Sequence, residues 1–244
     1  MEYWLNAKRP DPEAFVKEVE VVCNLYAQAQ ELDKEGVQVI SVDEKTGIQA
    51  LERAAPTLPM KQGIPERQES EYVRHGTRCL IGSFKVASGE MVAPTVGATR
   101  SEADFVAHIA QTVALNPSAR WIFVVDQLNT HKSESLVRLV ADHCGITEEL
   151  GRKGRAGILQ TRHTRAQFLS AASHRIRFVY TPKHASWLNQ IEIWFSILVR
   201  KLLKRGSFKS VDDLRDQILA FIAYFNETMA KPFKWTYAGR PLTV

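Results

Sequence analysis

The sequence predicts an α/β protein, a mixed five-stranded sheet flanked by helices, and three observations carry that prediction. Short β-type apolar runs alternate with stretches of helical periodicity. The elements fall in the order βββαβαβα. Two of the apolar runs, VQVISVD and WIFVVD, end on a carboxylate, Asp43 and Asp126, at the strand end where open α/β sheets usually place their chemistry.

Residues 10–35 open on Pro10-Asp11-Pro12-Glu13 and read as a helix that Gly36 stops. Residues 37–43 are the first strand. Residues 46–76 are polar, carry Pro56, Pro59 and Pro65, and are too long for a tight connection, so they are expected to form an arm or functional loop. Strands at about 78–87 and 91–96 flank the turn signal Ser88-Gly89. Ser101 and Asp104 make a capping box, with Asp for the usual Glu, ahead of a helix that aligns Phe105, Ile109 and Val113. The fourth strand is residues 121–126, and a helix covers about 133–143. Beyond the segment GRKGRAGILQTRHTR, residues 175–181 form the fifth strand, which Pro182 ends. Leu188, Ile191, Phe195, Leu198 and Leu202 mark the buried stripe of a helix, and a last helix spans about 211–229. With acids on the first and fourth strands and on the helix after the fifth, this is the ribonuclease-H-like arrangement. It divides the chain into a helical lead-in at 1–36 and a catalytic domain at 37–244, with the arm at 46–76 and a basic insertion at about 145–174.

Composition is ordinary for a globular chain, with 45% hydrophobic and 24% charged residues in 244. Net charge is only +5, but its distribution is uneven. Residues 1–50 hold ten acids and five Lys/Arg, whereas residues 152–209 hold thirteen Lys/Arg and one acid, Glu192. That polarity favours a nucleic-acid face. A lone carboxylate inside WLNQIEIWF, with apolar flanks, does not mark an exposed salt-bridge face and points to a metal ligand or catalytic group. Three acids in basic surroundings suggest a divalent metal and a polyanionic substrate. Cys23, Cys79 and Cys144 are odd in number and lack a CxxC, which argues against a disulfide framework or zinc knuckle. Neither a membrane-spanning run nor a signal-peptide core is evident, so a soluble, cytoplasmic protein is expected.

The blocks SVDEKT, VVDQLNTH and VYTPKHASWLNQIEIWFSILVRKLLKRGSF resemble the three catalytic blocks of the DDE transposases of bacterial insertion sequences, in the branch related to mariner elements. The similarity covers about residues 36–240. It implies Asp43, Asp126 and Glu192 as the catalytic, metal-binding triad, acting in DNA nicking and strand transfer. Such displacement chemistry uses two divalent ions per site, here Mg²⁺ with Mn²⁺ as substitute, and needs no protein nucleophile. DNA, both transposon ends and target, is the implied partner. The arm at 46–76 implies a homodimer, because the corresponding insertion of mariner-like enzymes is implicated in contacts between protomers. A bacterial, nucleoid-associated location goes with this reading.

Around the triad several residues have two readings. Glu44 is the alternative ligand to Asp43, because strand alternation alone does not say which of the two faces the site. His131 either orients a metal-bound water or contacts phosphate, or it has a structural role at the helix start. Asn129 is a supporting residue or a helix cap. His184 and Lys183 either hold a scissile phosphate or lie on loop surface, and Asn189 joins the supporting set. Trp187 is the more open candidate for base stacking, whereas Trp194 and Phe195 belong in the core stripe. Arg200, Lys201, Lys204 and Arg205 are expected on DNA, with helix-dipole complementation as the alternative. Arg152, Lys153, Arg155, Arg162 and Arg165 form a DNA-facing flap or a solvated loop. That insertion stretches the Asp126 to Glu192 interval to 66 residues, longer than in many mariner relatives. Only about forty residues precede Asp43, too few for the helix-turn-helix region such relatives carry, so weak recognition of specific ends is expected. A ribonuclease-H-like nuclease and a non-catalytic DNA-binding remnant are the alternative functions.

Overall fold

The computed structural model describes residues 12–67 and 69–237. Helix α1 (Pro12–Lys34) ends at Gly36, whose φ of +77° a residue with a side chain adopts only with strain. The Pro10-Asp11 opening expected for this helix lies outside the described residues. Strands β1 (Val37–Arg53), β2 (Tyr72–Lys85) and β3 (Glu90–Gly97) form an antiparallel meander. Helix α2 (Glu102–Ala114) follows, with the Ser101/Asp104 capping box in place, and leads to β4 (Arg120–Val125). Helix α3 (Glu134–His143), a short α4 (Arg162–Leu169), β5 (Ile176–Tyr180), α5 (Ile191–Leu198) and α6 (Val211–Thr228) complete the chain. A π-helical turn, Val199–Leu203, continues α5.

The strands are ordered β3-β2-β1-β4-β5, with β1 parallel to β4 and β4 parallel to β5. This is the expected five-stranded mixed sheet of the ribonuclease-H-like type. Period-two alternation divides its side chains between two cores. Val39, Leu80, Phe84, Ile122 and Val124 pack with α1, α5 and α6 residues such as Val22, Trp194 and Phe225. Ile40, Val42, Phe123 and Val125 pack with α2 and α3 residues such as Ile109 and Val137. Trp194 and Phe195 are buried, as their stripe predicts.

Two expectations change. The stretch 46–76 is not loop throughout, because β1 runs on to Arg53 and pairs with β2 from Tyr72, so the arm is a projecting hairpin with bulges between Lys45 and Ile48 and between Gln49 and Leu51. Among the described residues of its far end, 54–67 and 69–71, there are isolated bridges, Leu58 with Arg67 and Lys61 with Ile64. The insertion at 145–174, expected as a flap or solvated loop, contains the helix α4, capped by Thr161 and Thr164. No helix among the described residues is long and apolar enough to cross a membrane. All three cysteines are free thiols.

Candidate active site

Parallel pairing of β1 with β4 sets Ser41 beside Val124, and two residues further along the two chains come Asp43 and Asp126. Both acids thus reach the same end of the sheet. The third arrives from α5, where Glu192 lies in the first helical turn and is solvent-exposed. A glycine lets that helix come so close. Gly82 pairs with Asp43 across β1 and β2, and a Cβ built on it would stand 2.8 Å from Ile191 Cδ1. A larger residue would require the end of the Ile191 side chain, at the start of α5, and that of Met91 to shift.

Polar links fix the approach. Ser41, two residues before Asp43 and so on the same face of β1, accepts a hydrogen bond from the Ile191 amide at 3.0 Å and donates to Asn189 Oδ1. Asn189 Nδ2 donates to the Val42 carbonyl at 2.8 Å and to Asp43 Oδ2 at 3.3 Å. Tyr26 on α1 donates to the Leu188 carbonyl at 2.9 Å, supporting the same loop. Asn189 therefore holds the first acid and anchors the element that carries the third. Ser41 and Tyr26 escaped the sequence reading. Ser41 carried a signal, its i,i+2 spacing from Asp43, whereas Tyr26 carried none.

On the other face, His131 is fully buried between two carboxylates. Its Nδ1 lies 2.8 Å from Asp126 Oδ1 and its Nε2 lies 3.2 Å from Glu44 Oε1. Burial opposes its protonation, but the hydrogen bonds and charges of Asp126 and Glu44 prevail and push it up to about 9, so both ring nitrogens carry protons and donate. Two readings are corrected by this clamp. His131 has no nitrogen left for a water or a phosphate, and Glu44, its side chain 1% exposed, is engaged away from the site. Asp126 also accepts from the Leu128 amide at 2.8 Å. Burial works to raise Asp126, yet His131 and that amide leave it below the ordinary carboxylate value.

Asp43 behaves in the opposite way. Burial first, and then the charges of Asp126, Glu44 and Glu192, push it up to about 7 against the opposing hydrogen bond from the Glu44 amide. Asp126, Glu44 and Glu192 are thus all close enough to act on the Asp43 charge. Among the described residues no three His, Cys, Asp or Glu side chains form a ready-made metal cage.

The basic candidates divide. Arg165, expected to face DNA, is buried, and its guanidinium donates to the carbonyls of Lys132 at 2.6 Å and Leu159 at 2.8 Å. It ties α4 to the neighbouring turn and is removed from the DNA-facing set. Arg152, Lys153, Arg155 and Arg162 are exposed. Arg162 donates to Asn129 Oδ1 at 2.6 Å. Asn129 does not cap α3, because Ser133 fills that position by accepting from the Leu136 amide at 3.2 Å. Lys183 is exposed, and so is His184, which adopts a left-handed φ of +61°. Trp187 is half-exposed and meets Tyr237 edge to face at 5.0 Å. Arg200, Lys201, Lys204 and Arg205 are exposed at the end of α5, and Arg200, Lys201 and Arg205 share a cavity with Phe221 and Tyr224 on α6.

A family model described as DDE superfamily endonuclease matches residues 38–215. Among solved structures, the Mos1 transposase paired-end complex with left transposon end superposes with a TM-score of 0.53 at 10% identity, covering 91% of this chain and 59% of that one. The Mos1 mariner paired end complex with Mn gives a TM-score of 0.51 at 10% identity, covering 91% and 58%. The catalytic domain of Mos1 mariner transposase gives a TM-score of 0.50 at 9% identity, covering 89% and 85%. At such identities the likeness is one of fold. No curated protein matches the sequence.

Proposed function

Because the chain belongs to the DDE superfamily endonucleases, we propose that it is a transposase catalytic domain, which nicks DNA at a transposon end and transfers the freed 3′ hydroxyl to target DNA. The observation that carries this reading is the convergence of Asp43 and Asp126 at one end of the sheet with Glu192 in the first turn of the helix that Ser41 anchors there. Three carboxylates, all hard oxygen donors, fit a divalent cation, since Mg²⁺ takes a few carboxylates and completes its shell with water and phosphate. Two such ions, Mg²⁺ or Mn²⁺, held by Asp43, Asp126 and Glu192, would activate the attacking oxygen and stabilise the leaving one.

The chain's own residues supply the positioning. Asn189 holds Asp43, the His131 clamp holds Asp126, and the Gly82 contact admits the helix that carries Glu192. The exposed cations Arg152, Lys153, Arg155, Lys183 and the cluster at 200–205 meet the phosphate backbone, and Trp187 offers a stacking face. The hairpin arm carries exposed Leu58, Met60 and Ile64 at its far end, which supports a homodimer built through it. A DNA-bound place in the bacterial nucleoid belongs to the same reading.

The test is to incubate the protein with a pre-nicked duplex and a target plasmid, with Mg²⁺ or Mn²⁺ added or withheld. Joined product that requires metal is expected. Metal-dependent hydrolysis of an RNA-DNA hybrid without any joining would favour a ribonuclease-H-like nuclease instead, and no metal-dependent chemistry on either substrate would leave only a DNA-binding role. Light scattering with DNA present, on the chain with and without residues 54–71, tests the arm; a monomer in both cases would remove the dimer.

A further inference from the structure

Beside Asp126 lies a cavity of about 300 Å³ that the motif blocks do not reveal, lined by Gln127, Asn129, Lys132, Arg162, His163 and Lys183. It draws on three separated parts of the chain: the turn after β4, the start of α4 and the loop after β5. Lys132, Arg162 and Lys183 all contribute to it, and no carboxylate among the described residues lines it.

Its polar groups are held in place from behind. Gln127 donates to the Thr181 carbonyl at 2.7 Å, leaving its oxygen to accept from Lys132 Nζ. The Lys132 ammonium also sits 4.6 Å from the centre of the Tyr180 ring, and Tyr180 in turn donates to the His131 carbonyl at 2.8 Å. Arg162 is oriented by Asn129, at 2.6 Å. A guanidinium and two ammonium groups in one lining that holds no carboxylate are arranged for an anion with several oxygens. Burial, and then the charges of Lys183 and Arg162, depress Lys132 against the opposing charges of Asp126 and Glu18.

We propose that this cavity is a phosphate-binding pocket, which takes a backbone phosphate of the nucleic acid next to the one that reacts at Asp126. The Asp126-Gln127 junction connects the two places directly: one residue belongs to the acid group and the next lines the pocket. The pocket would set the register of the strand across the acids, a positioning contact without sequence information. It deepens the transposase reading and rests on the chain being a DNA-processing enzyme.

The experiment is run with chelator present, so that it does not depend on catalysis. Binding of a labelled duplex is titrated with salt for the wild type, Lys183→Gln, Arg162→Gln and the double variant. The log–log slope should flatten by about 0.9 per cation removed. Lysine acetylation read by peptide mass spectrometry supplies a second measurement on the unaltered protein, in which the duplex should protect Lys132 and Lys183 while exposed Lys34 reacts as before. An unchanged slope in the double variant, or unprotected Lys132 and Lys183, would overturn the pocket whatever the nicking assay gives. Protection by millimolar inorganic phosphate but not by duplex would also overturn it, by assigning the pocket to a free anion. A chain that fails to nick yet shows the flattened slope and the protection would keep the pocket and lose the transposase reading.

Discussion

Asp43 and Glu44 are adjacent on one strand, and the two faces of the sheet treat their carboxylates in opposite ways. Glu44 turns to the α2 side, where His131 meets its charge and Asp126 shares the same imidazole. Asp43 turns to the α5 side, where Asn189 and a backbone amide are its hydrogen-bond partners and the nearby charges are alike. Both side chains are buried, so burial does not separate them; compensation does. The Glu44 face forms a closed ion network that holds one acid in place, whereas the Asp43 face stores repulsion that an incoming cation would relieve.

The sharpest way to break this comparison is catalytic. Asp43→Asn, Asp126→Asn and Glu192→Gln should each abolish metal-dependent nicking of plasmid DNA. Glu44→Gln should lower the rate only by about 10–100-fold, as expected of a residue that orients a ligand. Near wild-type nicking by any of the first three would remove that residue from the group, and complete loss with Glu44→Gln would restore Glu44 as a ligand.

Stability should respond with opposite signs on the two faces. His131→Ala leaves Glu44 buried without its counter-charge and should cost about 3–5 kcal/mol in denaturant unfolding. Asp43→Asn should instead stabilise the metal-free protein at pH 8. The sign follows from the raised value: Asp43 titrates near 7 folded against 3.8 ordinarily, so the folded state binds its proton more tightly. Its contribution is therefore present below about pH 4 and is lost as pH rises through about 7, a loss of no more than about 4 kcal/mol that the Asn variant avoids. Unfolding curves with chelator at pH 4 and pH 8 check this, and a variant less stable than wild type at pH 8 would contradict it. His131 is also raised, from 6.5 to about 9, so its contribution to stability is complete below about 6.5 and is lost as pH rises from there through about 9.

A smaller effect probes the helix approach. Gly82→Ala places a methyl group 2.8 Å from Ile191 Cδ1 and should cost about 1–3 kcal/mol. Nicking should fall with all three acids intact, and wild-type stability and activity together would show that α5 adjusts without consequence. Smallest in stability should be the quadruple Ala variant at Arg200, Lys201, Lys204 and Arg205, within about 0.5 kcal/mol of wild type because all four are exposed. If all four touch phosphate, its salt slope on duplex DNA should nevertheless flatten by up to about four times 0.9.

Much of this molecule was legible in the chain. Strands that bury at least one face show it as β-type apolar runs, and for that reason β4, β5 and the first part of β1 stood out, with Asp43 inside β1 and Asp126 just after β4. The hairpin beyond Lys45 was not legible because most of its residues are exposed, leaving polar residues and prolines with little pattern to read. Helix α4 was missed for a related reason: of its eight residues only Arg165 and Leu169 are buried, so it has no apolar stripe. Its capping pair, Thr161 and Thr164, was the available sign. Arg165 misled because a basic residue in a basic segment looks like a DNA contact, and only the packing revealed two backbone carbonyls around it.

What the sequence determined by itself was the candidate set of acids and the apolar runs that carry them, since strand and helix stripes follow from local periodicity, although β1 runs on past Asp43 to Arg53. It also determined that Asp43 and Glu44 point to opposite faces. Which face became the site was decided by tertiary structure alone, because that depends on α5 crossing the face that carries Ser41, over Gly82, while His131 closes the other. The Lys132 pocket was decided in the same way. Its cations come from segments far apart in the chain, and no local rule brings them together before the sheet pairs β4 with β5 and α4 packs beside them.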